Sequence, residues 1–270
     1  MKRLIKSVLP PFLLVFIKKI LGKKVSIVFE GDYSEWNAAV EQSIGFDSDY
    51  ILSKVRSAAL KVKQGKAAFE RDAIVFNNPE YRWPLLSILL YIALLNRKLH
   101  LLDFGGSLGS CYFQHIKWLA SIQDLCWSIV EQKKFVESGR REFESDQLRF
   151  YCSIDECLES RGEPNAVLFS SVLQYLENPY KTLDEIAYHR ISYLIIDRLA
   201  LINGSRDRIT VQHVPASIYK ASYPARFFSE DSLIEYCEKL GYEKLLDFKG
   251  DDRINGWSYF KGIVFVWRGK

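Results

Sequence analysis

The chain has 270 residues, of which 48% are hydrophobic and 26% charged, with a formal net charge of +4; this balance excludes a disordered or fibrous chain and leaves room for a sizeable core. Outside the N-terminus the positive excess is thinly spread and offers no basic stripe to a nucleic acid. Cys111, Cys126, Cys152, Cys157 and Cys237 are odd in number and form no CxxC pair, which argues against a disulfide framework and against a zinc site, so that no metal is expected; reduced, buried thiols fit a reducing cytoplasm.

In chain order, residues 1–32 form a basic N-terminal segment. Lys2, Arg3, Lys6, Lys18, Lys19, Lys23 and Lys24 flank a short apolar centre broken by Pro10 and Pro11. That centre is far short of the roughly 20 residues needed to span a bilayer. Two readings stay open for residues 1–24: peripheral contact with an anionic membrane, or a helix packed on the rest of the protein. From 33 to 98 the pattern is helical. Ser34 is expected to cap a helix carrying Trp36, Ala39 and Val40, and Gly45 to stop it. Ile51, Leu52, Val55, Ala59 and Val62 recur at helical spacing until Gly65, and Pro84 opens the apolar helix Leu85 to Leu95. No strand is expected in this half.

From Leu99 to the C-terminus, short apolar runs alternate with helical stretches, the pattern of β-α-β units and a mostly parallel sheet. Strands are expected at Leu99–Phe104, Trp127–Glu131, Leu148–Cys152, Ala166–Ser170, Tyr193–Asp197, Glu243–Phe248 and Gly262–Trp267. The last two are joined by a link too short for a helical crossover and should pair antiparallel. The fold class is therefore α/β, a Rossmann-like seven-stranded sheet preceded by a helical segment.

The run Leu101-Leu102-Asp103-Phe104-Gly105-Gly106-Ser107-Leu108-Gly109 is a buried strand ending in an acid and a glycine-rich turn before a helix. Small residues there let a ligand approach the backbone, and the helix N-terminus turns N–H groups toward it. A plain tight turn is the competing reading. Further residues fall at successive strand ends, where an adenosine-containing ligand needs them. Glu131 is placed to accept hydrogen bonds from ribose hydroxyls, Ser153 and Asp155 to meet an adenine edge, and Ser170, Ser171 and Gln174 to line the same crevice. Asp155 serves equally well as a helix cap, and Gln174 and Tyr175 as packing against the next helix.

Asp103 to Gly109 resembles the first motif of class I methyltransferases. The whole chain from about Tyr33 resembles a family of methyltransferases of bacterial surface-polysaccharide clusters, through Asp103–Gly109, Ile196-Asp197-Arg198, Tyr223-Pro224-Ala225-Arg226-Phe227-Phe228-Ser229, Tyr33-Ser34-Glu35-Trp36 and Phe69-Glu70-Arg71-Asp72. The resemblance implies methyl transfer from S-adenosylmethionine, with a small-molecule or glycan acceptor. The departures are Ser107 at the middle glycine position and a long interval from Asp103 to Glu131.

Methyl transfer asks a protein to align nucleophile and methyl group and to remove a proton. The segment Leu199 to Phe228 is expected as a substrate loop and carries His213, whose intrinsic pKa suits a general base, with a structural histidine as the competing reading. His213 and Asp197 are the catalytic candidates; Arg198, Arg226 and Tyr223 are the candidates for the acceptor. Glu70, Arg71 and Asp72 are expected to reach the site from a helical cap, and His100, His115 and His189 to be structural. Two other functions compete. An NAD-dependent oxidoreductase shares the strand and glycine turn, but glycines at 105, 106 and 109 miss the GxGxxG register. A catalytically silent scaffold at a membrane is the other.

Overall fold

The structure, a computed structural model, describes residues 27–45, 48–215, 221–250 and 257–269. The basic segment 1–24 lies outside the described residues. The chain begins with β1 (Val28–Tyr33), α1 (Trp36–Glu41), α2 (Ser48–Lys63), β2 (Phe69–Arg71), β3 (Ile74–Phe76) and α3 (Trp83–Asn96). Alternation follows through β4 (Leu99–Phe104), α4 (Ser110–Leu119), β5 (Leu125–Val130), α5 (Lys133–Glu142), β6 (Leu148–Tyr151), α6 (Ile154–Arg161) and β7 (Ala166–Ser170). A 3₁₀ turn (Leu173–Tyr175) leads to α7 (Pro179–Tyr188), β8 (Tyr193–Ile202), β9 (Arg208–Val214), β10 (Ala221–Ser229), α8 (Glu230–Lys239), β11 (Tyr242–Lys249) and β12 (Ser258–Trp267). The chain divides into a smaller unit, residues 1–47 with 209–225, and a larger one, residues 48–208 with 226–270.

The larger unit is an open α/β sheet in the order β6-β5-β4-β7-β8-β12-β11. β4 pairs parallel with β5 on one side and β7 on the other, and β12 runs antiparallel to both β8 and β11. The expected antiparallel pair of terminal strands is therefore present, with β12 seated inside the sheet. Successive residues of each central strand enter opposite layers. Leu99, Leu101, Ala166 and Leu168 pack with Leu85, Leu86, Leu89 and Ile92 of α3, whereas Leu102, Val167 and Phe169 pack with Leu183, Ile186 and Leu233 of α7 and α8. Both faces being covered explains why these strands read as continuous apolar runs. Each fully buried Leu or Ile side chain contributes roughly 1.5 to 3 kcal/mol.

In the smaller unit β1 pairs antiparallel with β9, and Ala39, Ile209 and Val211 pack with Tyr33 and Trp36. Ile44 N donates to Ser222 Oγ, beside the bridge between Gly45 and Ser222.

Several sequence expectations are corrected. β2 and β3 stand where helices alone were expected, having three residues each, too few to show alternation; β1 lies at the end of the basic segment, where no strand was expected, and owes its state to a partner far along the chain. The first helix begins at Trp36 after an extended Glu35, with no side-chain cap from Ser34. Within Leu199 to Phe228 the described residues are mostly strand and not loop, since β8 continues to Ile202 and β9 and β10 follow. Asp197-Arg198 interrupts the apolar pattern without ending the strand, because Arg198 takes a left-handed φ of 51° and the chain then resumes its course. Among the described residues no helix is long and apolar enough to cross a membrane.

Candidate functional site at the carboxyl edge of the sheet

Parallel strands in register end at one level, so their carboxyl ends form a common edge. Phe104 stands opposite Val130 and Phe169, Val130 opposite Tyr151, and Ser170 opposite Asp197. Connections leave β4 toward β5 and reach β7 on the other side, which opens the crevice where open α/β sheets bind ligands.

Phe104 to Gly109 turns from β4 into α4 at this place. Asp103 is buried and accepts a hydrogen bond from Trp127 Nε1 at 3.0 Å. Burial, opposed by that bond and by Arg82, pushes its carboxyl up to about 7. The loop folds over this carboxyl: a Cβ on Gly106 would stand 2.6 Å from Asp103 Oδ2. Gly105, at a φ of 71°, would similarly meet Val172 Cγ2 at 2.5 Å, and Gly109 would press on Phe113. The glycines thus make room for the protein's own side chains at this turn. Ser107 holds a left-handed φ of 56°, the conformation in which glycine is easiest, and so the departure at this position keeps the shape of the turn.

Glu131 follows β5. Its N–H donates to Tyr151 O at 3.0 Å, and its carboxylate accepts from Gln132 N at 2.5 Å, with burial raising its pKa. The remaining acceptor capacity is available to a diol. Ser153 is the N-cap of α6, accepting from Glu156 N at 3.1 Å, and Asp155 is exposed in the first turn, 4.0 Å from His189. The cap is therefore Ser153, not Asp155. Ser171 takes a left-handed φ of 57°, and its hydroxyl accepts from Gln174 Nε2, which also reaches Arg198 O. Gln174 is 2% exposed, and its Oε1 is buried without a partner. A buried acceptor left unmatched costs free energy, so this oxygen is set to receive a donor.

Two arrangements join the site from before β4. Glu70, on β2 and 4% exposed, accepts from Ser110 Oγ at the start of α4 and from Ala73 N at 3.2 Å. Burial pushes its carboxyl up to about 7. Of 70–72, Glu70 thus meets the start of α4, while Arg71 pairs with Glu80 at 3.4 Å. Arg82, which the sequence reading missed, pairs with Asp197 and donates to Ser170 Oγ at 3.0 Å. Its only sequence signal was a cation immediately ahead of a buried apolar helix. Asp197 is 2% exposed and also accepts from Ser170 Oγ, so its carboxylate is occupied by this network.

The remaining candidates fall elsewhere. His115 is buried, donates through Nδ1 to Cys111 O at 2.8 Å and accepts from Arg82 N at 3.2 Å; burial lowers its pKa to about 4, so it stays neutral and structural, as expected. Arg226 contacts Asp207 at 3.3 Å and Glu177 O at 3.3 Å, tying β10 to the turn after β8. His213 and Tyr223 belong to the smaller unit, where His213 lies 3.4 Å from Glu30 and Tyr223 meets Gln212 at 3.1 Å. His100 pairs with Asp124 at 2.6 Å near Cys126, at the opposite, amino edge of the sheet.

No protein-family model matches the chain, and no curated protein matches its sequence. Solved structures of similar shape include the N-terminal domain of EvdMO1 in the presence of SAH and D-fucose, at 15% identity and a TM-score of 0.49 over 84% of this chain and 98% of that one. They also include an S-adenosylmethionine-dependent methyltransferase from Clostridium acetobutylicum ATCC 824, at 11% identity and a TM-score of 0.48 over 70% of this chain and 94% of that one. Magnesium protoporphyrin IX methyltransferase from Synechocystis PCC 6803 with bound SAM matches at 12% identity and a TM-score of 0.47 over 83% of this chain and 99% of that one.

Proposed function

We propose that the larger unit binds S-adenosylmethionine at the carboxyl edge of its sheet and transfers the methyl group to a hydroxyl of a sugar or glycan precursor. The observation that carries the reading is the strand order, with β12 antiparallel between β8 and β11 and the glycine turn of 105–109 at the β4/β7 crevice. This is the arrangement the class I methyltransferase resemblance implies, and it differs from the all-parallel dinucleotide-binding sheet. The donor set fits the cofactor: Glu131 supplies a carboxylate for ribose hydroxyls, and Gln174 Oε1 is a buried acceptor suited to an ammonium or amide donor. Asp103 lies beneath the turn and fixes its shape.

When bound, the cofactor supplies a methyl group on a sulfonium, open to in-line displacement. The protein's part is to orient the acceptor, to exclude water and to let the attacking hydroxyl pass its proton to a base as the O–C bond forms and the sulfonium S–C bond breaks. Ser171, just after β7, and Arg198, within β8, both in left-handed conformations, keep Gln174 in place, and the Arg82–Asp197–Ser170 network sets charge beside it. The sugar acceptor rests on the resemblance carried by Ile196–Arg198 and Tyr223–Ser229.

Calorimetric titration of the full chain with S-adenosylmethionine and, separately, NAD tests the cofactor. S-adenosylmethionine alone is expected to bind, and Glu131→Ala to weaken it by roughly 1.5 to 3 kcal/mol, the range for a hydrogen bond to a charged group. Binding of NAD alone would replace this reading with an oxidoreductase. Transfer of labelled methyl from S-adenosylmethionine to nucleotide-linked sugars then tests the acceptor.

A further inference from the structure

The outer side of α3 is apolar, and among the described residues nothing covers it. The helix has no charged residue in its 14 positions, and its inner side is spent on the core through Leu85, Leu86, Leu89 and Ile92. Steps of three and four residues then gather Trp83, Ser87, Leu90, Tyr91 and Leu94 on the outer side, with Leu95 at its margin. Leu94 is 78% exposed, Leu95 56%, Trp83 52% and Tyr91 48%. Trp118 of α4, 41% exposed, extends the patch, its ring 5.3 Å from that of Trp83 and 5.7 Å from that of Tyr81. Isolated exposed leucines need no explanation, but a contiguous row with two tryptophans does.

The charges around the row indicate what covers it. Arg97 and Lys98 leave the C-terminal end of α3, and Lys117 stands beside Trp118. The acids nearest in sequence are engaged: Glu80 pairs with Arg71, and Asp124 with His100. Tryptophan and tyrosine with protruding leucines, bordered by cations and with the nearest acids in sequence held in ion pairs, is a composition that settles in the headgroup layer of an anionic bilayer. We propose that the outer face of α3, with Trp118, docks the protein on an anionic membrane surface. The inference is independent of the cofactor reading and concerns a different part of the chain from the basic segment 1–24.

The test uses the full chain and vesicles of phosphatidylglycerol with phosphatidylcholine carrying brominated acyl chains, whose bromine quenches nearby tryptophan. Quenching is expected with anionic vesicles, and weaker binding at high salt. Trp83→Phe/Trp118→Phe should lose at least half of the quenching while still sedimenting with vesicles. Tyr91→Glu/Leu94→Glu, both exposed positions, should lower sedimentation with vesicles by tenfold or more, with its circular dichroism and its S-adenosylmethionine titration as controls of folding. Unchanged sedimentation of this variant would overturn the proposal and assign binding to segment 1–24. Absence of vesicle binding, with a wild-type dimer in ultracentrifugation that Tyr91→Glu/Leu94→Glu breaks, would assign the face to a second copy instead. Unaltered quenching in the double phenylalanine variant would equally overturn it.

Discussion

Arg82 and Asp197 illustrate how one buried pair can hold an edge of the site. The carboxylate is 2% exposed and its main partner comes from ahead of α3. Arg82→Met leaves that charge buried and unpaired, so a loss of about 3 to 5 kcal/mol is expected in urea denaturation. Arg82→Met/Asp197→Leu should recover most of the loss, since the cost lies in the orphaned charge and not in the missing attraction. Acid–base behaviour follows from two other carboxyls. Asp103 and Glu70, raised to about 7 by burial, keep protons in the folded chain that an unfolded chain releases near pH 4. The folded state therefore binds more protons between about pH 4 and 7, and stability falls as pH rises through that window. Asp103→Asn is expected to flatten the fall between about pH 4 and 7 by on the order of a few kcal/mol. An unflattened fall, read from denaturation at the two pH values, would remove Asp103 from this account.

Among the elements, the β2–β3 hairpin departs furthest from local rules. Its turn is Asp72-Ala73, with φ of 52° and 63°, where Asn-Gly or Asp-Gly is the usual choice. An alanine held there costs about 1 to 2 kcal/mol, while a glycine adds roughly 0.4 to 1 kcal/mol of unfolded-state entropy. Ala73→Gly is accordingly expected to stabilise by about 0.5 to 1 kcal/mol, measured as a shift in the denaturation midpoint at constant slope. The turn is kept in its present shape by Glu70, which accepts from Ala73 N and from Ser110, so the hairpin carries a buried carboxyl to the start of α4. Strand β8 shows the same economy: left-handed Arg198 turns its carbonyl to Gln174 while the strand continues to Ile202 and gives its whole length to β12.

At the scale of the molecule, ligand binding should appear in stability. S-adenosylmethionine at about 100 times its dissociation constant is expected to raise the unfolding free energy by roughly 2.7 kcal/mol, a shift of several degrees in Tm for a chain of this size. NAD at the same concentration is expected to leave Tm unchanged. A shift with NAD and none with S-adenosylmethionine in differential scanning calorimetry would contradict the proposed cofactor.

The sequence by itself determined the parallel sheet from Leu99 onward, the antiparallel terminal pair, the buried helix behind Pro84 and the placing of Asp103–Gly109, Glu131 and Gln174 at strand ends. These follow from local quantities: apolar runs of strand length, helical spacing, and glycine or proline at turns. Only the tertiary structure decided what those residues touch. That Gly106 yields to the Asp103 carboxyl, that Arg82 meets Asp197 across 115 positions of sequence, and that β1 is a strand because β9 lies beside it depend on partners distant along the chain. The exposed side of α3 was also beyond the sequence, since a helix apolar nearly all round reads as buried until the fold shows one side without cover among the described residues.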